Sequence, residues 1–165
     1  MSESQDKIRY QAVIVSPLPN KPCLGLRLQA GKLTSIDFLG PSCTPFVPAE
    51  EGVERAVSWL QHYFLHDSSA GQIPFQLQGT PFQKRVWQEL LRIPYGQVMR
   101  YGELAKILGS SARAVAGACR ANPIPILIPC HRVVAANGPG GYMGETGGEA
   151  LAIKQWLLHH EGYVG

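Results

Sequence analysis

Cys130-His131-Arg132, a thiol followed at once by an imidazole and a guanidinium, is the segment of this chain best equipped for chemistry. The thiolate is the nucleophilic form of cysteine, and neighbouring cations pull a thiol toward it. On sequence alone His131 and Arg132 supply that charge. Pro123, Pro125 and Pro129 stiffen the approach to the triplet and Ile126-Leu127-Ile128 makes it apolar, so residues 122–129 are expected as a buried, strand-like connector. Successive side chains on an extended segment diverge, so the imidazole would reach the thiol through a bridging water. A carboxylate would then orient its other ring nitrogen. Glu161, at the end of the last expected helix, is the candidate, although a helix-end glutamate is more often merely solvated.

The charge is unevenly spread. The chain has 165 residues and a net charge of +3, with residues 1–79 and 136–165 slightly acidic. Between 80 and 135 there are eight basic side chains, Arg113 and Arg120 among them, against two acidic ones. A segment this basic suits a polyanion, because each neutralised phosphate releases a counterion. A solvated helix face would account for the same count.

The elements that must position these groups can be read from periodicity and punctuation. Ile8 to Val15 reads as a strand, and Leu24, Leu26 and Leu28 alternate up to an Ala30-Gly31-Lys32 turn. Leu33 to Leu39 then completes a hairpin. Pro41, Pro45 and Pro48 make 40–48 a loop, and Val53, Ala56, Val57, Leu60 and Phe64 fall at helical spacing over 50–65. Asp67 to Gly71 reads as a linker. Thr80-Pro81-Phe82-Gln83 is a capping box with proline at the first helical position, and its apolar stripe runs Phe82, Val86, Leu90 and Ile93 up to Pro94. Helices are expected at 102–108 and 112–121, separated by Gly109-Ser110-Ser111 as in a helix-turn-helix, and a last one at 148–160 ends before Gly162. The fold class is therefore α+β: a small N-terminal β-sheet domain with a helix over 1–75, then a helical domain with a helix-turn-helix over 76–165.

An apolar fraction of 45% with 16% charged residues excludes wholesale disorder, and no apolar run approaches the roughly 20 residues of a membrane span. The polar, acidic start does not read as a secretory signal, so a cytoplasmic protein is expected. Cys23, Cys43, Cys119 and Cys130 form no CxxC pair and are expected as thiols. No metal-ligand spacing is present; Cys23, Cys43, His62 and His66 would make a mixed site only if the fold assembled them. No phosphate-loop motif appears.

The motif Pro129-Cys130-His131-Arg132-Val133, with Asn122-Pro123-Ile124-Pro125 before it, resembles the O6-alkylguanine-DNA alkyltransferase (methylated-DNA–protein-cysteine methyltransferase) family. The resemblance covers residues 79–165. It includes Gly79 to Gln83, Val86-Trp87, Ile93 to Gly96, Tyr101-Gly102, Ala112 to Val115 and Trp156 to Gly162. It implies that Cys130 accepts the alkyl group in a relay with water, His131 and Glu161, and that Asn122 is a hinge between helix-turn-helix and site. It implies too that Arg113 enters the DNA stack, that Arg120 contacts DNA, and that Tyr101 drives flipping and meets the purine. Pro125 and Tyr142 would line the base pocket, and the Val133 carbonyl would read the exocyclic amine. The partner implied is duplex DNA carrying O6-alkylguanine, or O4-alkylthymine, held through the minor groove by a monomer. No cofactor or metal is implied, and each molecule would act once. The stretch Met143 to Ala150 is a few residues longer than usual there, with Met143 where serine is frequent.

Other readings fit parts of the sequence. An alkyltransferase-like lesion binder would lack the acceptor cysteine, usually carrying tryptophan in its place. A helix-turn-helix regulator would leave Cys130 structural, and a cysteine hydrolase would use Cys130 and His131 catalytically.

Overall fold

The computed structural model describes residues 9–67, 71–144 and 147–164. The chain divides into two compact units, Met1–Leu77 and Gln78–Gly165. Part of the Asp67–Gly71 linker, part of the 143–150 loop and Ile8 lie outside the described residues.

In the first unit, strands β1 (Ala12–Ile14), β2 (Leu24–Gln29) and β3 (Lys32–Phe38) form an antiparallel sheet in that order. Ala30 and Gly31 both have positive φ, 52° and 76°, and close β2 onto β3 by a two-residue turn of the kind that matches strand twist. Helix α1 (Glu51–Phe64) buries Val53, Ala56, Val57, Leu60 and Tyr63. Gly52 is needed where α1 meets the hairpin, since a Cβ there would come within 2.9 Å of the Gly31 backbone.

The expectation of free thiols fails for two cysteines: Cys23 and Cys43 form a disulfide, with Cα atoms 6.4 Å apart. The proline-rich loop folds back along the sheet edge, where Phe46 exchanges backbone hydrogen bonds with Val13 at 2.9 and 3.0 Å. That return brings Cys43 against the buried cluster of Tyr10, Val13 and Cys23. Both sulfurs are consumed, so the mixed site with His62 and His66 does not form. Among the described residues no group of three or more His, Cys, Asp or Glu is arranged to hold a metal ion.

Among the described residues the second unit holds four α-helices, α2 (Pro81–Leu90), α3 (Tyr101–Leu108), α4 (Ala112–Arg120) and α5 (Gly148–His160). The capping box at α2 is complete: Thr80 Oγ1 accepts from the Gln83 amide at 3.1 Å and Gln83 Oε1 from the Thr80 amide at 2.9 Å. The helix stops at Leu90, earlier than the stripe to Ile93 suggests. The amides of Leu91, Arg92 and Ile93 bond to Trp87, Glu89 and Leu90, and the chain leaves the helix through Pro94. Trp87 donates from Nε1 to the Ala118 carbonyl at 2.9 Å, fastening α2 to α4. Gly109, at φ 62°, caps α3 in the left-handed conformation, and Ser111 caps α4 by accepting from the Ala114 amide at 3.1 Å. These two caps make the tight turn of a helix-turn-helix.

Residues 122–129 are not a strand. They form successive turns with Ile126 at φ 75°, and they run into a 3-10 turn at Cys130–Arg132. Three prolines cannot donate to a ladder. The Asn122 side chain takes over: Oδ1 accepts from the Ile124 amide at 3.0 Å and Nδ2 donates to the Ile128 carbonyl at 2.8 Å. Only beyond the site does the chain extend, as β5 (Val133–Val134) beside β4 (Met99–Arg100) in a two-stranded parallel sheet. Among the described residues no helix is long and apolar enough to cross a membrane.

Candidate active site

The turns after α4 set Cys130 into the interior, where it is 3% exposed. Its thiol is pushed up to about 11 by burial, against a hydrogen bond with the Asn122 side chain and the charge of Lys154. The resting side chain is therefore a thiol. The cation beside it is Lys154, not the neighbouring Arg132 that the sequence offered.

His131 is fully buried. Its Nε2 meets Glu161 Oε2 at 2.8 Å, and its Nδ1 is buried with no hydrogen-bond partner among the described residues. Burial lowers its pKa below the usual histidine value despite the carboxylate, with Arg132 and Lys154 adding to the effect. The ring is thus neutral, with its proton on Nε2 facing Glu161 and a basic lone pair on Nδ1.

Glu161 lies just past α5 and is 5% exposed. Burial alone would raise its pKa, but hydrogen bonds from His131 and Arg132, with the charge of Arg132, hold it well below the usual carboxylate range. Arg132 grips both oxygens, Nε to Oε1 at 2.7 Å and Nη2 to Oε2 at 3.0 Å, and its Nη1 donates to the Ile93 carbonyl at 2.7 Å.

Lys154 is the residue the sequence reading missed. It is fully buried in α5, with Nζ donating to the Val133 carbonyl at 2.6 Å and to the Gly141 carbonyl at 2.8 Å. Its pKa falls to about 8 through burial, opposed by the Cys130 and Cys119 thiols. A signal existed: Ile153, Lys154, Leu157 and Leu158 form the buried face of α5, and a lysine on an apolar stripe demands a partner.

The thiol opens on a cavity of about 280 Å³ whose lining includes Tyr101, Cys119, Arg120, Cys130, Tyr142 and Met143. Burial raises the pKa of Tyr101 and Tyr142 above the usual phenol value, so both keep their hydroxyl protons. A second, wider groove of about 720 Å³ runs along α3 and α4, lined by Arg100, Tyr101, Lys106 and Arg113 among others. The two share Tyr101, Ala116 and Ala135, so the thiol cavity opens beside the basic face of the helix-turn-helix.

Most of the residues singled out from sequence meet here. His131 and Glu161 are hydrogen-bonded, Asn122 braces the turns that lead into Cys130, Tyr101, Tyr142 and Arg120 stand on the thiol cavity, and Arg113 lies on the outer groove. The Val133 carbonyl is near the site but already accepts from Lys154. Pro125 is buried and lines neither opening.

Fold and site together define a helix-turn-helix protein with a buried cysteine, histidine and glutamate beside its basic face. The family model for the 6-O-methylguanine DNA methyltransferase DNA-binding domain matches residues 81–163. A probable methylated-DNA–protein-cysteine methyltransferase of Acanthamoeba polyphaga mimivirus is 44% identical over 112 residues, 66% of this chain and 72% of the relative. The methylated-DNA–protein-cysteine methyltransferase of Salmonella typhimurium is 56% identical over 89 residues, 52% of this chain and 49% of its own length. The crystal structure of Mycobacterium tuberculosis OGT in complex with DNA superposes with a TM-score of 0.70 at 35% identity, covering 90% of this chain and 91% of that one. The chain belongs to the 6-O-methylguanine DNA methyltransferase family.

Proposed function

We propose that this protein repairs O6-alkylguanine in DNA by moving the alkyl group onto Cys130, once per molecule. The observation that carries the reading is the Cys130 thiol, backed by the His131–Glu161 pair and opening beside a groove lined by Arg113. An alkyl carbon on guanine O6 is out of reach inside a duplex, so the nucleotide must leave the stack at a cost of a few kcal/mol. DNA lies along α3 and α4 through its minor groove, and Arg113 fills the gap that the nucleotide leaves. Arg120 contacts DNA at the mouth of the thiol cavity. The base enters the cavity between Tyr101 and Tyr142. A carbonyl oxygen has two lone pairs, so Val133 can hold Lys154 and still accept from the exocyclic amine.

The chemistry is a single displacement. His131 Nδ1 takes the thiol proton through a bridging water, and Glu161 steadies the imidazolium that forms. The sulfur forms a bond to the alkyl carbon as the carbon–O6 bond breaks, and the electron pair goes to the guanine, which is then reprotonated. Asn122 keeps the thiol aligned while tying α4 to the 3-10 turn. The product is a thioether, which water does not cleave, so the protein is consumed. On this reading it works as a monomer in the cytoplasm, and no step calls for a cofactor.

Intact-mass measurement after incubation with an O6-methylguanine duplex tests the reading. The expected result is one methyl group on Cys130 for each lesion lost. Binding with no mass gain would make the protein a lesion binder or regulator, and repeated turnover with unmodified protein would make it a hydrolase.

A further inference from the structure

The Glu161 carboxylate serves two partners with opposite demands. Facing His131 alone, a buried carboxylate at hydrogen-bond distance favours imidazolium and raises a histidine pKa. An imidazolium cannot take the thiol proton. Arg132 occupies the rest of the carboxylate: its fork engages both oxygens, at 2.7 and 3.0 Å, where a single ammonium would engage one. The guanidinium is itself held, by the Ile93 carbonyl at 2.7 Å and over the Tyr95 ring at 5.7 Å. Tyr95 in turn reaches the His160 carbonyl at 3.3 Å, next to Glu161, so Arg132 cannot swing away without losing three contacts. Since guanidinium does not deprotonate in proteins, Arg132 and Glu161 close into a neutral pair.

Resting on the acceptor role of Cys130 and the base role of His131, we propose that Arg132 is a positioning residue that keeps His131 a neutral base by satisfying the Glu161 charge. The groups that face His131 fit this balance. Among the described residues Glu161 is the anion that acts on it; Lys154 and Arg132 are cations, and Cys130 rests as the thiol. Tyr95, from the turn after α2, borders the pair as a neutral phenol whose pKa is raised by burial and by Glu161. With Arg132 present the imidazole meets a carboxylate already compensated. Without it the imidazole becomes the compensating cation, and its lone pair is lost.

A merely structural latch between Ile93 and the end of α5 would hold the same bonds without this consequence. The experiment is an NMR titration of His131 in the full chain, its signals identified by their absence in His131→Gln. It is combined with the pH dependence of single-turnover transfer from free O6-benzylguanine. In Arg132→Gln the His131 midpoint should rise by one pH unit or more, and the acid limb of the rate should move up with it. In Arg132→Lys, whose ammonium engages one oxygen, both should rise by less. In a Glu161→Gln background the rise should be clearly smaller, leaving only the direct effect of the guanidinium charge on the imidazole. An unmoved midpoint in Arg132→Lys and Arg132→Gln, or a rise of equal size without Glu161, overturns the proposal, and Arg132→Lys alone decides if Arg132→Gln does not fold. The titration needs no turnover. A wild-type chain that never accepts an alkyl group would therefore sink the proposed function and leave the His131 result standing on its own.

Discussion

Glu161 closes on the imidazole of His131 at 2.8 Å across 30 residues of chain, with both side chains out of solvent. The contact gives a histidine that merely follows a cysteine a fixed ring orientation. Exchanging the carboxylate for an amide would leave Arg132 buried without its counter-charge. Breaking one side of such a pair costs about 3–5 kcal/mol.

The stability of Glu161→Gln should therefore depend on pH in a definite sense. Glu161 has its folded pKa held below the unfolded value near 4.3, so its contribution is fully present above that value and lost as pH falls through the folded one. Urea melts of wild type and Glu161→Gln should differ most at pH 6–7 and converge as pH drops below the carboxylate range. A gap independent of pH would mean that packing, not charge, is what the substitution removes.

Cys130→Ser should abolish alkyl transfer and leave DNA affinity nearly unchanged, because a hydroxyl is a far poorer nucleophile at neutral pH. Cys119 stands on the same cavity, with its thiol pushed up to about 12 by burial and by Cys130. Cys119→Ser should still accept one alkyl group per molecule, as read by intact mass.

Lys154 favours the Cys130 thiolate by its charge and ties the Val133 and Gly141 carbonyls together. In Lys154→Met the rate of Cys130 alkylation by iodoacetamide should fall at pH 6–7, where Lys154 carries its proton. The wild-type advantage should fade above about pH 8, where Lys154 itself loses its proton. An unchanged rate at pH 6–7 would reduce Lys154 to a strut between two carbonyls.

Arg113 separates flipping from chemistry. Arg113→Ala should slow repair of a matched duplex strongly, be partly rescued by a mismatch opposite the lesion, and react almost normally with a free O6-alkylguanine base. Equal losses on both duplexes, with the salt dependence reduced by about one unit of slope, would mark Arg113 as an ordinary phosphate contact.

The Cys23–Cys43 disulfide belongs to the first unit, so its effect should be on stability alone. Cys23→Ser, or a reductant, should lower the stability of that unit by about 3 kcal/mol, the value expected for closing a loop of this size. Denaturant melts with and without reductant measure it. Transfer from a free base, which calls on the second unit, should not change.

What could be read from the chain alone is what depends on near neighbours. Thr80 and Gln83 cap α2, Gly109 and Ser111 shape the turn between α3 and α4, and the Leu24–Leu28 alternation makes a strand, because each involves groups a few residues apart. The Cys130-His131 pair is likewise local, and with its flanking prolines it is enough to single out a candidate site. Which charges act on that pair is not local. Arg132 is adjacent in sequence, yet its guanidinium turns away to Glu161 and Ile93, while Lys154 arrives from a helix 21 residues beyond Val133. Burial raises the cost of any unpaired charge, so each one takes the partner that packing brings within reach, whatever the spacing along the chain. For the same reason the proline-rich approach bends into turns around the Asn122 side chain, and Cys43 meets Cys23 only once the loop has folded back on the sheet. Sequence singled out the thiol; tertiary packing decided which groups surround its proton and its charge.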